Sequence, residues 1–396
     1  MSCSPVVSPF ALACLVTFAA FISISPSVAI ATEAAENQAI ENEVAIAESG
    51  EDKTQSNGWG KLLPLPIFVT EPAIGQGLGA TLIYFHHDDE IEKPKFSTTQ
   101  NIGKTGERSR PPPVATAVFG LYTNNDTAAV GVGHSNTFAD DRFRLRAAAM
   151  EARINSDYYI GDKPIGFRLE GNLLFAEFKT RLGDSGLFFG VSGSYANASN
   201  IFRTDVDEID GIGLLDFDFI DAGLAASLIY DTRDNTVLPA DGFLVDITHW
   251  RYDESLGGDF NYDTTRLKAL WFRELGEDFV LGLRADASEV NGEPPFFAYP
   301  YVRLRGIPAL RYQGESAGAV EIEGRYLIGD RWSVSAFAGA GSVRIGEEQV
   351  ETGDDIRTIG VGGRFLAFRE QDAWVGIDVA QGPEDLVVYI QIGSGW

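Results

Sequence analysis

The fold class predicted by this sequence is an all-β transmembrane antiparallel barrel. Three observations carry the prediction. Apolar and polar residues alternate with period two through most of the chain. No long apolar run follows residue 31, so no transmembrane helix is expected beyond it. The connections between alternating segments are of two kinds, tight and long.

Residues 1–31 carry no charged side chain, and their apolar core Phe10–Ile24 is followed by Pro26 and small residues. This reads as a secretory signal with cleavage options at Ser27-Val28-Ala29 or Ala29-Ile30-Ala31. No Lys or Arg precedes the core, and an uncleaved anchor is the alternative. Both cysteines, Cys3 and Cys14, lie in this segment, so the mature chain has no thiol and no disulfide. Residues 32–58 are rich in Ala and Glu, with one Lys and no aromatic residue, and read as an acidic flexible tail. The net charge of −26 argues against nucleic acid as a partner.

From about residue 59 to 396 the texture is that of strands. In 279–288 the odd positions are Phe279, Leu281, Leu283, Ala285 and Ala287, and the even ones include Arg284, Asp286 and Ser288. In 142–149, Arg142, Arg144 and Arg146 alternate with Phe143, Leu145 and Ala147; in 167–173, Arg168, Glu170 and Asn172 alternate with Phe167, Leu169 and Leu173. A helix would mix the two sets around its circumference, whereas a strand sorts them onto two faces. A soluble sheet with one wet face shows the same alternation. The length and number of the segments, behind a secretory signal, favour the bilayer.

Fifteen strands are clear, near 74–86, 113–123, 126–138, 141–153, 166–182, 186–200, 218–231, 242–253, 260–274, 278–290, 317–328, 331–344, 356–369, 372–381 and 385–396. Single-chain bacterial barrels have an even number of strands. Sixteen are therefore expected, the sixteenth lying in 59–70 or around 154–162; fourteen is the alternative. Tight turns stand at Gly183-Asp184-Ser185, Gly276-Glu277, Gly329-Asp330 and Glu370-Gln371, and long loops at 87–112, 201–217, 291–316 and 345–355. With the tail and the C-terminus both periplasmic, the long loops from 201 onward fall outside the cell, as in outer-membrane barrels. In the last strand Leu386, Val388, Ile390, Ile392, Ser394 and Trp396 are expected to point outward, with Val387, Tyr389 and Gln391 inward.

An ordered set of motifs resembles one family. Tyr230-Asp231-Thr232-Arg233-Asp234-Asn235 with Pro239 and Gly242, then Leu304-Arg305-Gly306-Ile307, Glu323-Gly324-Arg325, Gly360-Val361-Gly362-Gly363-Arg364 and Ile377-Asp378-Val379-Ala380-Gln381-Gly382 are similar to the BamA/TamA (bacterial surface antigen) barrel superfamily, across roughly residues 61–396. The chain departs from it at Leu304 and Ile307, where relatives carry Val and an aromatic, and at Phe337-Ala338-Gly339, where relatives carry an Asp. It also resembles short members without periplasmic POTRA modules. The resemblance implies a signature loop folded into the lumen, carrying the Arg305-Gly306 pair, with Arg305 meeting lumenal acids. Of the acids with lumenal parity, Glu323 is expected as first partner and Glu321 or Asp378 as second. Arg325 shares their face. A C-terminal strand ending in an aromatic resembles the signal read by the insertion machinery, which makes Ile390, Ile392 and Trp396 its carriers.

Three functions follow as alternatives. The first is assembly, insertion or translocation of outer-membrane proteins through a weak seam between strand 74–86 and strand 385–396. Gly75, Gly77, Gly79 and Gly393 would weaken its pairing, because glycine brings no packing partner. The second is a pore lined by arginines and plugged by loop 291–316. The third, remote, is an outer-membrane enzyme. Gly183-Asp184-Ser185-Gly186 suits a turn rather than a nucleophile. His86-His87-Asp88-Asp89-Glu90 suits a solvated strand end, and His134 and His249 show no serine or cysteine partner. No metal site and no cofactor is expected. The expected surroundings are outer-membrane lipid, with client outer-membrane proteins as candidate partners.

Overall fold

In strand after strand, the alternating residues sort onto two faces of one antiparallel sheet. The computed structural model describes residues 62–86, 114–160, 163–202, 216–235, 238–345, 348–351, 356–368, 373–392 and 395–396. The signal segment 1–31, the tail 32–58 and the loop 87–112 lie outside the described residues.

The strands are β1 (Leu62–Val69), β2 (Gly77–Phe85), β3 (Ala115–Thr123), β4 (Ala128–Phe138), β5 (Phe143–Ile160), β6 (Lys163–Arg181), β7 (Leu187–Phe202), β8 (Phe217–Asp231) and β9 (Gly242–Tyr252). They continue with β10 (Asn261–Glu274), β11 (Phe279–Glu293), β12 (Ser316–Ile328), β13 (Trp332–Ile345), β14 (Glu348–Glu351), β15 (Arg357–Phe368), β16 (Ala373–Gln381) and β17 (Leu386–Ile392). Each pairs antiparallel with the next, except that β14 and β15 both register on β13. Those two fill one wall position, so 17 strands make sixteen positions around a nearly closed barrel. The sixteenth strand is β1, within 59–70; the 154–162 region extends β5 instead.

Burial follows the pleat. On β12, Glu321, Glu323 and Arg325 are 2%, 5% and 4% exposed, whereas Val320, Ile322 and Tyr326 are 56%, 47% and 49% exposed. The same parity gives an outer belt of Leu78, Val118, Val130, Leu174, Val191, Leu224, Ile247, Ile359, Ile377 and Val388, all exposed. Apolar side chains turned outward and charges turned inward are the inverse of a soluble sheet, and this arrangement is stable only with hydrocarbon around it.

The two ends of the barrel differ. At one end stand the short turns after β4, β6, β10, β12 and β15; at the other stands the 294–315 loop, which folds inward. Its Phe296 and Phe297 are fully buried against Phe167, Leu169, Ala196 and Phe219 of the wall. The turn end is capped by Leu238 of the 232–241 turn, packed with Leu366 and Trp374.

Gly79 tests the tightness of the wall. A Cβ placed there would stand 2.7 Å from the Leu121 Cβ on β3 and against the Gly120 carbonyl. Overpacking of this kind costs about 1–3 kcal/mol. Gly79→Ala is therefore expected to lower the urea midpoint of the refolded barrel, a shift read from unboiled gel mobility against denaturant.

Candidate functional site: the seam and the inward loop

Registers tie each wall position to the next from β1 round to β17, but none joins β17 back to β1 among the described residues. The seam therefore lies between β1 and β17. This moves it by one strand from the sequence expectation. β2 is paired on both edges, with Gly77 opposite Val69 and Thr123, and Gly79 opposite Ile67 and Leu121. Gly75, at φ +82°, ends the short 3-10 turn Pro72–Ile74 between β1 and β2. Gly77 and Gly79 thus serve close packing of β2 on β3. Gly393 lies outside the described residues, as does the side chain of Ile392.

The weak edge has a different source. Asn124 N–H donates to the Gln76 carbonyl and His86 N–H to the Val114 carbonyl, so the even-numbered residues of β2 turn their main chain toward β3. The odd ones, facing Leu63, Leu65, Ile67 and Val69, turn toward β1. Main-chain groups alternate sides along a strand. Hence Leu62, Pro64, Pro66 and Phe68 direct theirs at the seam. Pro64 and Pro66 have no N–H to give. Half of the donors this edge would present are missing. Among the described residues the seam strands are also short, at 8 and 7 residues against 18 and 19 for β5 and β6. A spanning strand needs about 9–11 residues.

The inward loop bridges this seam from inside. Its tip is a tight turn in which Ile307 N–H donates to the Leu304 carbonyl. Gly306 takes φ +92°, and a Cβ there would lie 3.2 Å from the Ala380 Cβ, so only glycine lets the tip approach β16. Val302, Leu304 and Ile307 pack on Ala317, Ala319, Val343 and Ile356. On the β17 side, Gly306 N–H donates to the Tyr389 hydroxyl at 2.9 Å, and Arg311 pairs with Glu384 at 2.5 Å. On the β1 side, Ala309 N–H donates to the Glu71 carboxylate at 3.0 Å. Burial pushes the Glu71 carboxyl up from its ordinary value, and the Ala309 and Ala73 N–H groups pull it back.

Arg305 anchors the tip. Its Nε and Nη2 both donate to Glu321 Oε1, at 3.0 and 2.6 Å. Nη1 donates to Asp378 Oδ2 at 2.9 Å and lies 2.8 Å from Glu323 Oε2. Glu321, not Glu323, is thus the two-donor partner, which reverses the expected order. The reason is position: Arg305 also lies over the Phe337 ring, 3.4 Å from its centroid, and this stacking turns its fork toward Glu321. Arg364 adds a second guanidinium, bound to both oxygens of Asp378. Two cations therefore face three carboxylates in a buried cluster.

Arg325 lies elsewhere, donating to the Pro239 carbonyl of the 232–241 turn. The Glu323-Gly324-Arg325 motif thus ties the inward loop to one end of the barrel and the turn cap to the other. Trp396 also differs from expectation. Leu386, Val388 and Ile390 do face outward, but Trp396 is directed inward: its Nε1–H donates to Glu321 Oε1 and its ring lies 5.6 Å from Phe272. Phe337, Arg364, Tyr389 and Glu71 were missed as site residues. Arg364 and Tyr389 had the correct inward parity, but nothing local marked Glu71.

The discounted residues fit structural roles. Ser185 Oγ closes its turn on the Leu182 carbonyl. His86 and His134 share the Thr116 hydroxyl at 2.8 Å each, and no metal-binding group of three ligands occurs among the described residues.

Residues 67–294 match the Omp85 superfamily domain, more than half of the 396 residues. The chain belongs to the Omp85 superfamily. Comparison with curated proteins gives no match. Among solved structures, BamA from Haemophilus ducreyi lacking POTRA domains 1-3 aligns with TM-score 0.57 at 11% identity, covering 85% of this chain and 70% of that one. CdiB from Escherichia coli aligns with TM-score 0.57 at 12% identity, covering 86% and 63%. CdiB from Acinetobacter baumannii aligns with TM-score 0.55 at 8% identity, covering 85% and 60%. The chain thus spans 60% to 70% of the lengths of these proteins. The likeness to these structures shows a shared barrel fold, and a barrel of this superfamily is an integral outer-membrane protein.

Removing the Arg305 guanidinium leaves three buried carboxylates with one cation. Breaking a buried pair costs about 3–5 kcal/mol. Arg305→Ala is expected to free the loop tip to proteases in the refolded barrel. Glu321→Gln should do so more than Glu323→Gln, since Glu321 takes two of the donors; equal effects would remove the assigned order.

Proposed function

We propose that this barrel acts in assembly, insertion or translocation of outer-membrane proteins, by offering the β1 edge to a client strand. The observation that carries this is the proline edge of β1 at a seam with no ladder among the described residues. In hydrocarbon an unpaired main-chain group costs several kcal/mol, so a strand edge needs a partner. A ladder from β17 to β1 finds no donor at Pro64 or Pro66. The remaining acceptors and the donors at Leu62 and Phe68 stay open to exchange with another strand. The short seam strands also favour a thin bilayer at that place, which lowers the barrier for a second chain to enter.

Within this reading the 294–315 loop is the clasp. It holds the two flanks at a fixed separation through Glu71 and Tyr389, and Arg305 holds the loop. The N-terminal side and the C-terminus face the periplasm, so clients arrive at the turn end. A passive pore is the other reading, and the aromatic packing of Phe296 and Phe297 across the loop end argues for a closed lumen.

Paired cysteines test the proposal, because no native cysteine follows Cys14. Cysteines are scanned along 62–68 and 386–392, and outer-membrane protein levels are measured in a strain carrying only the variant. A disulfide across the seam is expected to deplete other outer-membrane proteins, with recovery on reduction. A locked seam with an unchanged outer-membrane proteome would overturn the reading.

A further inference from the structure

The lumenal wall beside the Arg305 cluster, joined to it where Arg284 on β11 faces Glu321 on β12, is rich in cations. On β11, Asp286 is 8% exposed and is held by Arg284 Nε at 2.5 Å and Arg266 Nη2 at 3.0 Å. Lys268 stands directly across from Asp286 on one side and Asp246 on the other. Arg303, from the inward loop, lies 4.6 Å from the Tyr301 ring and interacts electrostatically with both Arg266 and Asp286. Counting Glu321, which faces Arg284 across the β11–β12 register, four cations stand among three carboxylates, a surplus of one positive charge inside a chain whose net charge is −26.

This surplus is not an accident of pairing. Asp286 takes both of its arginines through separate oxygens, and Asp246 accepts from the Thr248 hydroxyl at 2.8 Å. Lys268 has no ion-pair partner among the described residues. Arg266 Nε has no acceptor, although the side chain is 38% exposed to the lumen. Like charges gathered in a partly desolvated space repel one another unless a counter-charge joins them. The donors are of the kind that bind oxyanions: guanidinium forks, which match phosphate geometry, and one ammonium point charge.

We propose that Arg266, Lys268, Arg284 and Arg303 form a lumenal site for a dianion of the phosphate type, in which Asp286 competes with the ligand for its two arginines. Two sources carry such a group, a free phosphate ester and a phosphorylated lipid headgroup. Because Arg303 belongs to the inward loop, occupancy also ties that loop to the β10–β11 wall, away from the seam.

The test is calorimetric titration of the full refolded chain in detergent at low salt. One arm uses inorganic pyrophosphate. The other uses mixed micelles of phosphatidic acid, with diacylglycerol micelles as the uncharged control. Saturable binding is expected in at least one arm, weakened tenfold or more by the paired substitution Lys268→Gln and Arg303→Gln. Binding of pyrophosphate identifies a free anion; binding confined to phosphatidic acid identifies a headgroup. Asp286→Asn gives a readout that misfolding cannot imitate, because it adds one net positive charge and should tighten binding. No saturable binding in either arm would overturn the site, as would binding unchanged by both the paired substitution and Asp286→Asn.

Discussion

Hydrocarbon offers the main chain no hydrogen bonds, so every strand of a membrane barrel must find a neighbour on each edge. This constraint organises the whole chain. The wall from β2 to β16 meets it with continuous ladders, long strands and an outer apolar belt. Among the described residues, β1 meets it on one edge alone. Its prolines at 64 and 66 face the other edge, where they remove donors that no neighbour can replace. A closed barrel would be more stable with any other residue at those places. Their presence concentrates the instability of the wall at a single seam.

The interior compensates for the seam. A cluster of two guanidiniums and three carboxylates fixes the tip of the inward loop, and the loop reaches both flanks. A buried ionic cluster adds little net stability over an apolar core, since desolvation offsets most of the attraction. Its use here is geometric: Arg305 meets Glu321, Asp378 and the face of Phe337 at once. Trp396 joins the same cluster, so the end of β17 is held from inside as well. The acidic cluster at the loop tip adjoins the basic one around Asp286, where Arg284 faces Glu321 across the β11–β12 ladder.

Much of this architecture was legible in the sequence, because period two is imposed by the pleat at every residue. The facing of Glu321, Glu323 and Arg325 could be read directly from their spacing. The sixteenth strand was harder, since Leu62-Leu63-Pro64-Leu65-Pro66 has neither alternation nor the β-branched residues of a usual strand. That same irregularity makes it an edge. Glycine was the wrong marker of weakness: Gly77 and Gly79 answer to packing between β2 and β3. Proline was the informative residue, since its lost donor matters only on an unpaired edge. The partner order of Arg305 and the inward turn of Trp396 depend on where Phe337 and Glu321 meet across the lumen. No local pattern encodes that distance.

The central claim is that missing donors on β1, and not the length of the seam strands, keep the seam open. Spin labels on β2 and β16, which flank it, would give the distance distribution between the two sides in lipid. The wild-type chain should show a broad distribution with a separated population. Pro64→Val with Pro66→Val restores both donors and should collapse it to one narrow distance. A distribution unchanged by the two substitutions would contradict the account.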